Sequence, residues 1–420
     1  MTERKRKGLV NLLYVQKFGG SSLASSECVF NVAQRIAETY KKGNQVVVVL
    51  SAQGGMTDEL IRKANEISSS PSKREMDMLL ATGEQQSVAL MAMALHKLGL
   101  NAVSLTGSQM GLHASSTHGS ARIKRIDVDR IHAELERNYI VLAAGFQGIN
   151  RRGDIATLGR GGSDTTAVAL AAVLKADFCE IYTDVDGVYT ADPHQVKTAQ
   201  KMDEICYDEM LELASMGAKV LATRSVELAK KYHVTLVVRS SMSDCEGTIV
   251  KEATAVESTY VSGIAMDKNT ASISVIGINN EPGKAYKLFS LLAKERIVVD
   301  IILQSIGRDA TKDIAFTVMG NELEKAVKVL SENKSKLGFE RITYDDKIVK
   351  LSVVGAGMAT HPGVASMLFE ALYAGGINIV MISTSEIKIS VLIDERDADV
   401  AAHVVHDKFF SGSTAIDAHK

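Results

Sequence analysis

The sequence predicts an α/β protein: a three-layer α-β-α domain with a mainly parallel central sheet, followed by two small α+β modules of ferredoxin-like order. Three observations predict it. Short apolar runs alternate with amphipathic stretches from Leu9 to about Ser241, the pattern of β-α units feeding a parallel sheet. Val46–Leu50 is a continuous apolar, mostly β-branched run, as in a strand buried on both faces. After Val250 a β-α-β-β-α-β order begins twice, and each copy opens its first helix with a Pro-Gly pair, Pro282-Gly283 and Pro362-Gly363. The recurrence reads as an internal repeat; one larger α+β domain with chance similarity between its halves is the alternative.

Taken in order, Leu12–Gln16 reads as the first strand. Val29, Val32, Ala33, Ile36, Ala37 and Tyr40 then recur at helical spacing. Val46–Leu50 is the second strand, Ser87–Leu98 a helix, Ala102–Leu105 a strand and Ile126–Arg137 a helix. Ile140–Ala144 is a strand ending at Gly145, Thr165–Leu174 an Ala-rich helix and Cys179–Thr183 a strand. Ligands of such sheets gather beyond the carboxyl ends of the strands. In the tail, Ser272–Ile278, Val298–Gln304 and Ile314–Met319 read as strands, with helices over Pro282–Arg296 and Glu322–Leu337. The second copy runs through Lys350–Val354, the helix Val364–Ala374, the strands Ile379–Ser383 and Lys388–Ile393, and a helix from Ala398. The expected division is a flexible extension over residues 1–10, a large domain over 11–250 and modules over 263–340 and 346–420.

A chain of 420 residues is too long for one core. A net charge of −2 predicts neither a nucleic-acid face nor a polybasic membrane tail. Cys28, Cys179, Cys206 and Cys245 lie far apart, with no CxxC or Cys/His pairing. No metal site or disulfide framework is expected, and a reducing cytoplasm fits best. The charged start Met1–Lys7 precedes an apolar stretch too short for a signal peptide or a membrane span.

Six segments carry chemistry. Lys17-Phe18-Gly19-Gly20-Ser21-Ser22 ends a strand and precedes a helix. Paired glycines let backbone N–H groups approach an anion, although the string is no Walker loop and a plain Gly-Gly turn fits it too. Gly159-Arg160-Gly161-Gly162-Ser163-Asp164-Thr165-Thr166 joins a guanidinium to glycines and a run of capping residues, which suits a carboxylate or phosphate; a tight loop with a solvated arginine is the bland reading. Tyr182-Thr183-Asp184-Val185-Asp186-Gly187 follows a strand expected mid-sheet and continues to Pro193; it lacks the terminal bidentate glutamate of a calcium loop. Ser51 to Asp58 places hydroxyls in a Gly-containing turn, for an amino acid's polar groups or for helix capping. Glu84, in Ala81-Thr82-Gly83-Glu84, faces either an ammonium group or solvent. Lys219, in Met216-Gly217-Ala218-Lys219, is a phosphate ligand or one more surface lysine.

Together these strings resemble the aspartate kinase family, within the amino-acid kinase superfamily. The matching stretches are Gln16–Ser22, Val48–Leu60, Arg74–Glu84, Leu105–Gly111, Ala143–Gly148, Thr157–Val168, Glu180–Pro193, Asp208–Lys219, His361–Gly363 and Ile382–Leu392. The resemblance implies an ATP-dependent phosphotransferase acting on the β-carboxylate of L-aspartate, with magnesium carried by the nucleotide. It implies that Lys17, Phe18, Gly19 and Gly20 hold the transferring phosphoryl group, and that Ser51, Thr57, Glu84, Arg160 and Ser163 bind aspartate. By the same resemblance Asp184 organises the catalytic lysines, Lys17 and Lys219. Tyr182, Thr183, Val188, Tyr189, Thr190, Ala191, Asp192 and Pro193 form the nucleotide-binding segment. Gln53-Gly54-Gly55-Met56-Thr57 departs from the more usual Met-Gly-Asp-Thr-Thr, so an adjusted substrate position is expected.

The tail resembles paired ACT domains, which bind amino acids at mutual interfaces. The resemblance implies feedback by lysine, threonine or both, with Asp300, Gln304, Asn378, Ile379, Ser383, Thr384, Ser385 and Glu386 in the effector-lining regions. It also implies a homo-oligomer through these modules and, in relatives, a shorter regulatory subunit begun at an internal methionine such as Met242 or Met266. Another amino-acid kinase, of glutamate or acetylglutamate type, and a non-catalytic amino-acid sensor are the alternatives. A nicotinamide dehydrogenase is disfavoured, because G-x-G-x-x-G is missing after the first strand.

Overall fold

The computed structural model describes residues 11–216, 220–253, 260–306 and 311–411. The expected N-terminal extension and Lys219 lie outside the described residues. The chain forms two compact units. The first takes residues up to Tyr189, then 201–214 and 219–256; the second takes 190–200, 215–218 and everything from Glu257.

The first unit opens with β1 (Leu13–Phe18), α1 (Ser26–Lys41), β2 (Gln45–Leu50), α2 (Met56–Ile67), α3 (Lys73–Lys97) and β3 (Ala102–Leu105). It continues through β4 (Leu112–Ala114), β5 (Ile123–Ile126), α4 (Asp129–Glu136), β6 (Ile140–Ala144), β7 (Gln147–Ile149) and β8 (Ile155–Thr157). Then come α5 (Gly162–Leu174), β9 (Phe178–Thr183), β10 (Glu204–Cys206), α6 (Tyr207–Ser215), α7 (Thr223–Tyr232), β11 (Leu236–Ser240) and β12 (Thr248–Lys251). An eight-stranded sheet runs β10-β12-β11-β9-β1-β2-β6-β3, and only β11 with β12 pairs antiparallel. One face is sealed by α1 and α3, whose Val29, Val32, Ile36, Val88, Met91 and Leu95 pack on Phe18, Val48, Leu50 and Leu142. On the other face α5 lies over β1, β2 and β9. Both faces being covered explains why β2 and β6 read as unbroken apolar runs.

A second sheet, β5-β4-β7-β8, went unread in the sequence. Its strands are three or four residues long, too short for an alternation to show. The helix expected over Ile126–Arg137 is α4 alone, because Ile123–Ile126 is strand β5.

The second unit contains β13 (Gly263–Asn279), α8 (Lys284–Lys294), β14 (Val299–Ile306), β15 (Thr311–Met319), α9 (Leu323–Glu332) and α10 (Lys334–Leu337). It ends with β16 (Arg341–Val354), α11 (Val364–Ala374), β17 (Met381–Thr384), β18 (Lys388–Asp394) and α12 (Ala398–Phe410). The two halves have separate cores, one around Ile273, Leu288, Phe316 and Leu330, the other around Leu351, Leu368, Val391 and Val405. They nevertheless share one antiparallel sheet, β14-β15-β13-β16-β18-β17. β13 meets β16 along most of its length, from Gly263 opposite Val354 to Ile276 opposite Arg341. β16 thus closes the first half and opens the second, and it runs through residues 341–345, left between the two expected modules. No described helix is long and apolar enough to cross a membrane.

Candidate active site

Four strands of the large sheet end level with one another. Phe18 lies opposite Leu50 and Tyr182, and Leu50 lies opposite Ala144. The loops beyond these ends touch. Gly54 donates its N–H to the Gly20 carbonyl at 2.9 Å. A Cβ on Gly20 would stand 2.7 Å from the Ala52 carbonyl oxygen, and one on Gly83 of α3 would stand 2.8 Å from the Ala52 Cβ. A Cβ on Gly145 would stand 2.6 Å from Ser163 Oγ. Glycine at these positions lets β1, β2, α3, β6 and the start of α5 bring their polar groups together.

The Lys17 ammonium lies 2.7 Å from Asp164 Oδ1, in a pair whose side chains are only 12% and 13% exposed. Asp164 sits in the first turn of α5, where the helix dipole favours a negative charge. The sequence suggests a capping role for Asp164, and the resemblance implies that Asp184 organises the lysines. Asp184 is exposed and accepts a hydrogen bond from Thr183 Oγ1 at 3.0 Å. The carboxylate in contact with Lys17 is Asp164, and its signal lay in the Arg160–Thr166 string itself.

Glu84 is 5% exposed. Its Oε1 accepts the Ala52 N–H at 3.1 Å, while Oε2 is buried with no hydrogen-bond partner. Burial raises its carboxyl from 4.5 to about 7, because the charged form loses water. This unpaired buried oxygen lies beside the glycine loops and can accept a further hydrogen bond. Ser51 follows β2 and donates its N–H to the Phe18 carbonyl at 3.2 Å. Thr57 is the second residue of α2. Gln53, within the unusual string, donates Nε2 to the Leu23 carbonyl at 2.8 Å. Arg160 is exposed and has no carboxylate partner among the described residues. Its loop is held by Gly159 and Gly161, both left-handed at φ 79° and 70°.

Phe146, missed in the sequence, adopts φ 68°, a conformation costly for a bulky residue. Thr166 Oγ1 accepts its N–H at 3.3 Å, so α5 helps hold the distortion next to Gly145.

On the expected nucleotide side, Phe18 and Tyr182 stack at 4.5 Å and are buried. The Tyr182 hydroxyl donates to Glu180 at 3.0 Å. Their side chains are core, and their backbones lie in the ladder of the sheet, Phe18 opposite Leu50 and Tyr182 opposite Arg239. Thr183 faces the loop after β11: Ser241 Oγ donates to its carbonyl at 3.2 Å and Ser22 Oγ to Ser241 Oγ at 2.8 Å. Val188 is buried, and its N–H donates to Thr248 Oγ1 at 2.8 Å. Val188 and Tyr189 stay in the first unit, whereas Thr190, Ala191, Asp192 and Pro193 belong to the second. Thr190 Oγ1 meets His406 Nε2 at 3.0 Å, and Ala191 packs with Val196 and Ala402. The side chains of Thr190 and Ala191 are therefore committed to that unit's interior.

The expected effector residues divide between two edge strands. Gln304 on β14 lines a cavity of about 190 Å³ with Asn279, Gly283, Lys284 and Lys312, at the start of α8. Asp300, also on β14, pairs with Lys350 at 2.5 Å. Ser383 and Thr384 lie on β17, at the opposite edge of the sheet. Ser385 and Glu386 form its turn into β18, and Asn378 and Ile379 precede it.

A model of the amino acid kinase family matches residues 13–240, and an ACT domain model matches 273–333 and 351–409. An aspartokinase of Helicobacter pylori is 51% identical over 400 residues, 94% of this chain and 98% of the relative. One of Corynebacterium glutamicum is 49% identical over 406 residues, 95% and 96% of the two chains. Among solved structures, the aspartate kinase from Synechocystis is 45% identical, with a TM-score of 0.54 over 94% of this chain and 69% of that one. E. coli aspartokinase III in complex with aspartate and ADP (R-state) shares the fold, with a TM-score of 0.79 at 24% identity over 95% and 100% of the chains. Domain models in this order, and identity near one half along almost the whole length, place the chain in the aspartokinase family.

Proposed function

We propose that the chain transfers the γ-phosphoryl group of ATP to the β-carboxylate of L-aspartate, giving 4-phospho-L-aspartate and ADP, the first step towards lysine, threonine and methionine. The observations that support this are the Lys17–Asp164 pair at the Gly19-Gly20 loop and the buried, unpaired Glu84 oxygen, on elements whose loops touch through Gly20, Ala52 and Gly83. Two anions must be brought together, so the protein's task is positioning and charge neutralisation. Arg160 takes the α-carboxylate, with Ser163 beside it, and Glu84 receives the ammonium group. The β-carboxylate is already ionised at neutral pH and needs no general base. Lys17 and the N–H groups of Gly19 and Gly20 offset charge developing on the transferring phosphoryl group, and Asp164 fixes where the ammonium of Lys17 points. Lys219 is assigned the second phosphate contact by resemblance. Magnesium is assigned to arrive with the nucleotide by resemblance.

The test is acyl-phosphate formation, trapped with hydroxylamine, using ATP and either L-aspartate or L-glutamate. A hydroxamate from aspartate at a rate far above that from glutamate is expected; the reverse preference identifies another amino-acid kinase, and failure of ATP to bind identifies a sensor.

Feedback is proposed on the same terms. The Gln304 cavity at the amino end of α8 suits an amino-acid carboxylate. Inhibition by millimolar L-lysine, L-threonine or both, relieved in Gln304→Ala, is the expected result. Activity indifferent to both amino acids removes the proposal.

A further inference from the structure

Asp77 is a carboxylate on α3 that neither the reaction nor the sequence reading uses. It is 1% exposed and faces no lysine or arginine partner among the described residues. A charge so placed is tolerated only when its oxygens are saturated with donors, and these are. Gly119 donates its N–H at 3.0 Å to Oδ1 and 3.1 Å to Oδ2. Thr157 donates its N–H to Oδ2 at 3.0 Å and its hydroxyl to Oδ1 at 2.5 Å. His118 Nδ1 lies 2.8 Å from Oδ2.

Thr157 ends β8, three residues before Arg160. The backbone between them is anchored at each step. The Thr157 carbonyl accepts the Ala121 N–H at 2.8 Å, and Leu158 donates its N–H to the Phe146 carbonyl at 2.8 Å. Arg224 Nη1 donates to the Leu158 and Ala121 carbonyls, each at 3.0 Å. Gly159, left-handed, passes so near the Gly119 carbonyl that a Cβ would stand 3.0 Å from it. The two segments that Asp77 grips, 118–119 and 157, are thus the two that cradle the root of the Arg160 loop.

The same helix bears Glu84, seven residues on and so on nearly the same face, about 10 Å along the axis at 1.5 Å per residue. One rigid element therefore carries the receptor for the substrate ammonium and the anchor of the loop that offers a guanidinium. We infer that Asp77 is a positioning residue for α-carboxylate recognition: through Thr157 and Gly119 it fixes the distance between Arg160 and Glu84, and so selects substrates that carry both an ammonium and an α-carboxylate at that spacing. This rests on the assignment of Arg160 to the α-carboxylate.

The experiment compares L-aspartate with L-aspartate α-amide, which keeps the ammonium and β-carboxylate but presents no α-carboxylate. Both are followed as substrates in the full-length protein, or the amide as an inhibitor competing with aspartate if its turnover is slow. Arg160→Gln tests the underlying assignment: its loss should fall on aspartate and spare the amide. In Asp77→Asn, KM for aspartate should rise about tenfold or more, the scale of one charge-assisted hydrogen bond. Its kcat and its KM for ATP should stay within about twofold, and its affinity for the amide should be unchanged. Equal losses with both ligands, or no loss, overturn the role of Asp77. An Arg160→Gln variant without selectivity overturns the assignment and the inference with it. Should Asp77→Asn fail to fold, Thr157→Val, which removes only the hydroxyl donor, must show the same selective loss and Thr157→Ser must restore recognition; a Thr157→Val variant equal to the parent overturns the inference.

Discussion

Glu84 meets two opposing demands. Its burial prepares it for an ammonium group, and the same burial makes its charge costly in the empty protein. Its carboxyl is raised from 4.5 to about 7, so between those values the folded chain binds more protons than the unfolded chain. Stability therefore falls as pH rises from 4.5 to 7 and stays lowered above it. Glu84→Gln removes that dependence. Melting curves should show a higher midpoint than the parent at pH 8 and little difference at pH 4.5, while kcat/KM for aspartate drops about 10–100-fold, for a charge-assisted bond worth ~1.5–3 kcal/mol. A variant no more stable at pH 8 would contradict the account of Glu84. Of the residues proposed for the site, Lys17, Gly19, Gly20 and Arg160 stand out in the sequence because their chemistry is local to a string. The partnership of Lys17 with Asp164 does not, since it joins residues 147 positions apart through the packing of α5 beneath β1.

At the scale of elements, the strands of the large sheet were read best. Ala102–Leu105 and Ile140–Ala144 appear with the expected bounds. Helix α3 was read only in its second half, Ser87–Leu98, although it begins at Lys73. Its first half buries Asp77, Gly83 and Glu84, so polar residues stand where an apolar stripe would mark a helix. The half of the helix without an apolar stripe is the half that carries Glu84. The α5 entry is as demanding. Gly161 combines φ 70° with a position where a Cβ would stand 2.3 Å from the Ala222 Cβ. Gly161→Ala must leave the left-handed region, at a cost of roughly 1–2 kcal/mol, and displace α5 from α7. Its kcat/KM for aspartate should fall by about tenfold or more, measured beside a melting curve; unchanged kinetics would show that the Arg160 loop tolerates movement.

At the scale of the molecule, a duplicated tail was expected from its two Pro-Gly helix openings, and the doubled element order is present. Its shared sheet was not foreseen, because strands as long as β13 and β16 serve both halves and carry a different burial pattern in each. Nor was the excursion at Thr190, where the chain leaves the first unit and returns at Lys201. Its anchor is His406, fully buried, with Thr190 and Thr198 hydroxyls at 3.0 and 3.3 Å and Phe410 stacked at 4.8 Å. Burial holds this imidazole below its usual 6.5. The unfolded chain then takes up the proton first, and the second unit loses stability as pH falls through 6.5. Hydrogen-exchange protection factors over residues 190–200, taken relative to the intrinsic rate at each pH, should fall between about pH 7 and pH 5 in the parent and change little in His406→Asn; the same fall in both would exclude His406 as its source.

In the proposed mechanism, fixed charge at the carboxyl edge of one sheet lets two acids react. Lys17→Ala tests it most directly, in a single comparison of steady-state turnover with aspartate binding. A fall in kcat of about 100-fold or more is expected, as removal of one preorganised donor costs about 2.7–4 kcal/mol, with aspartate affinity and the folded state retained. Near-normal turnover in the correctly folded variant would contradict it.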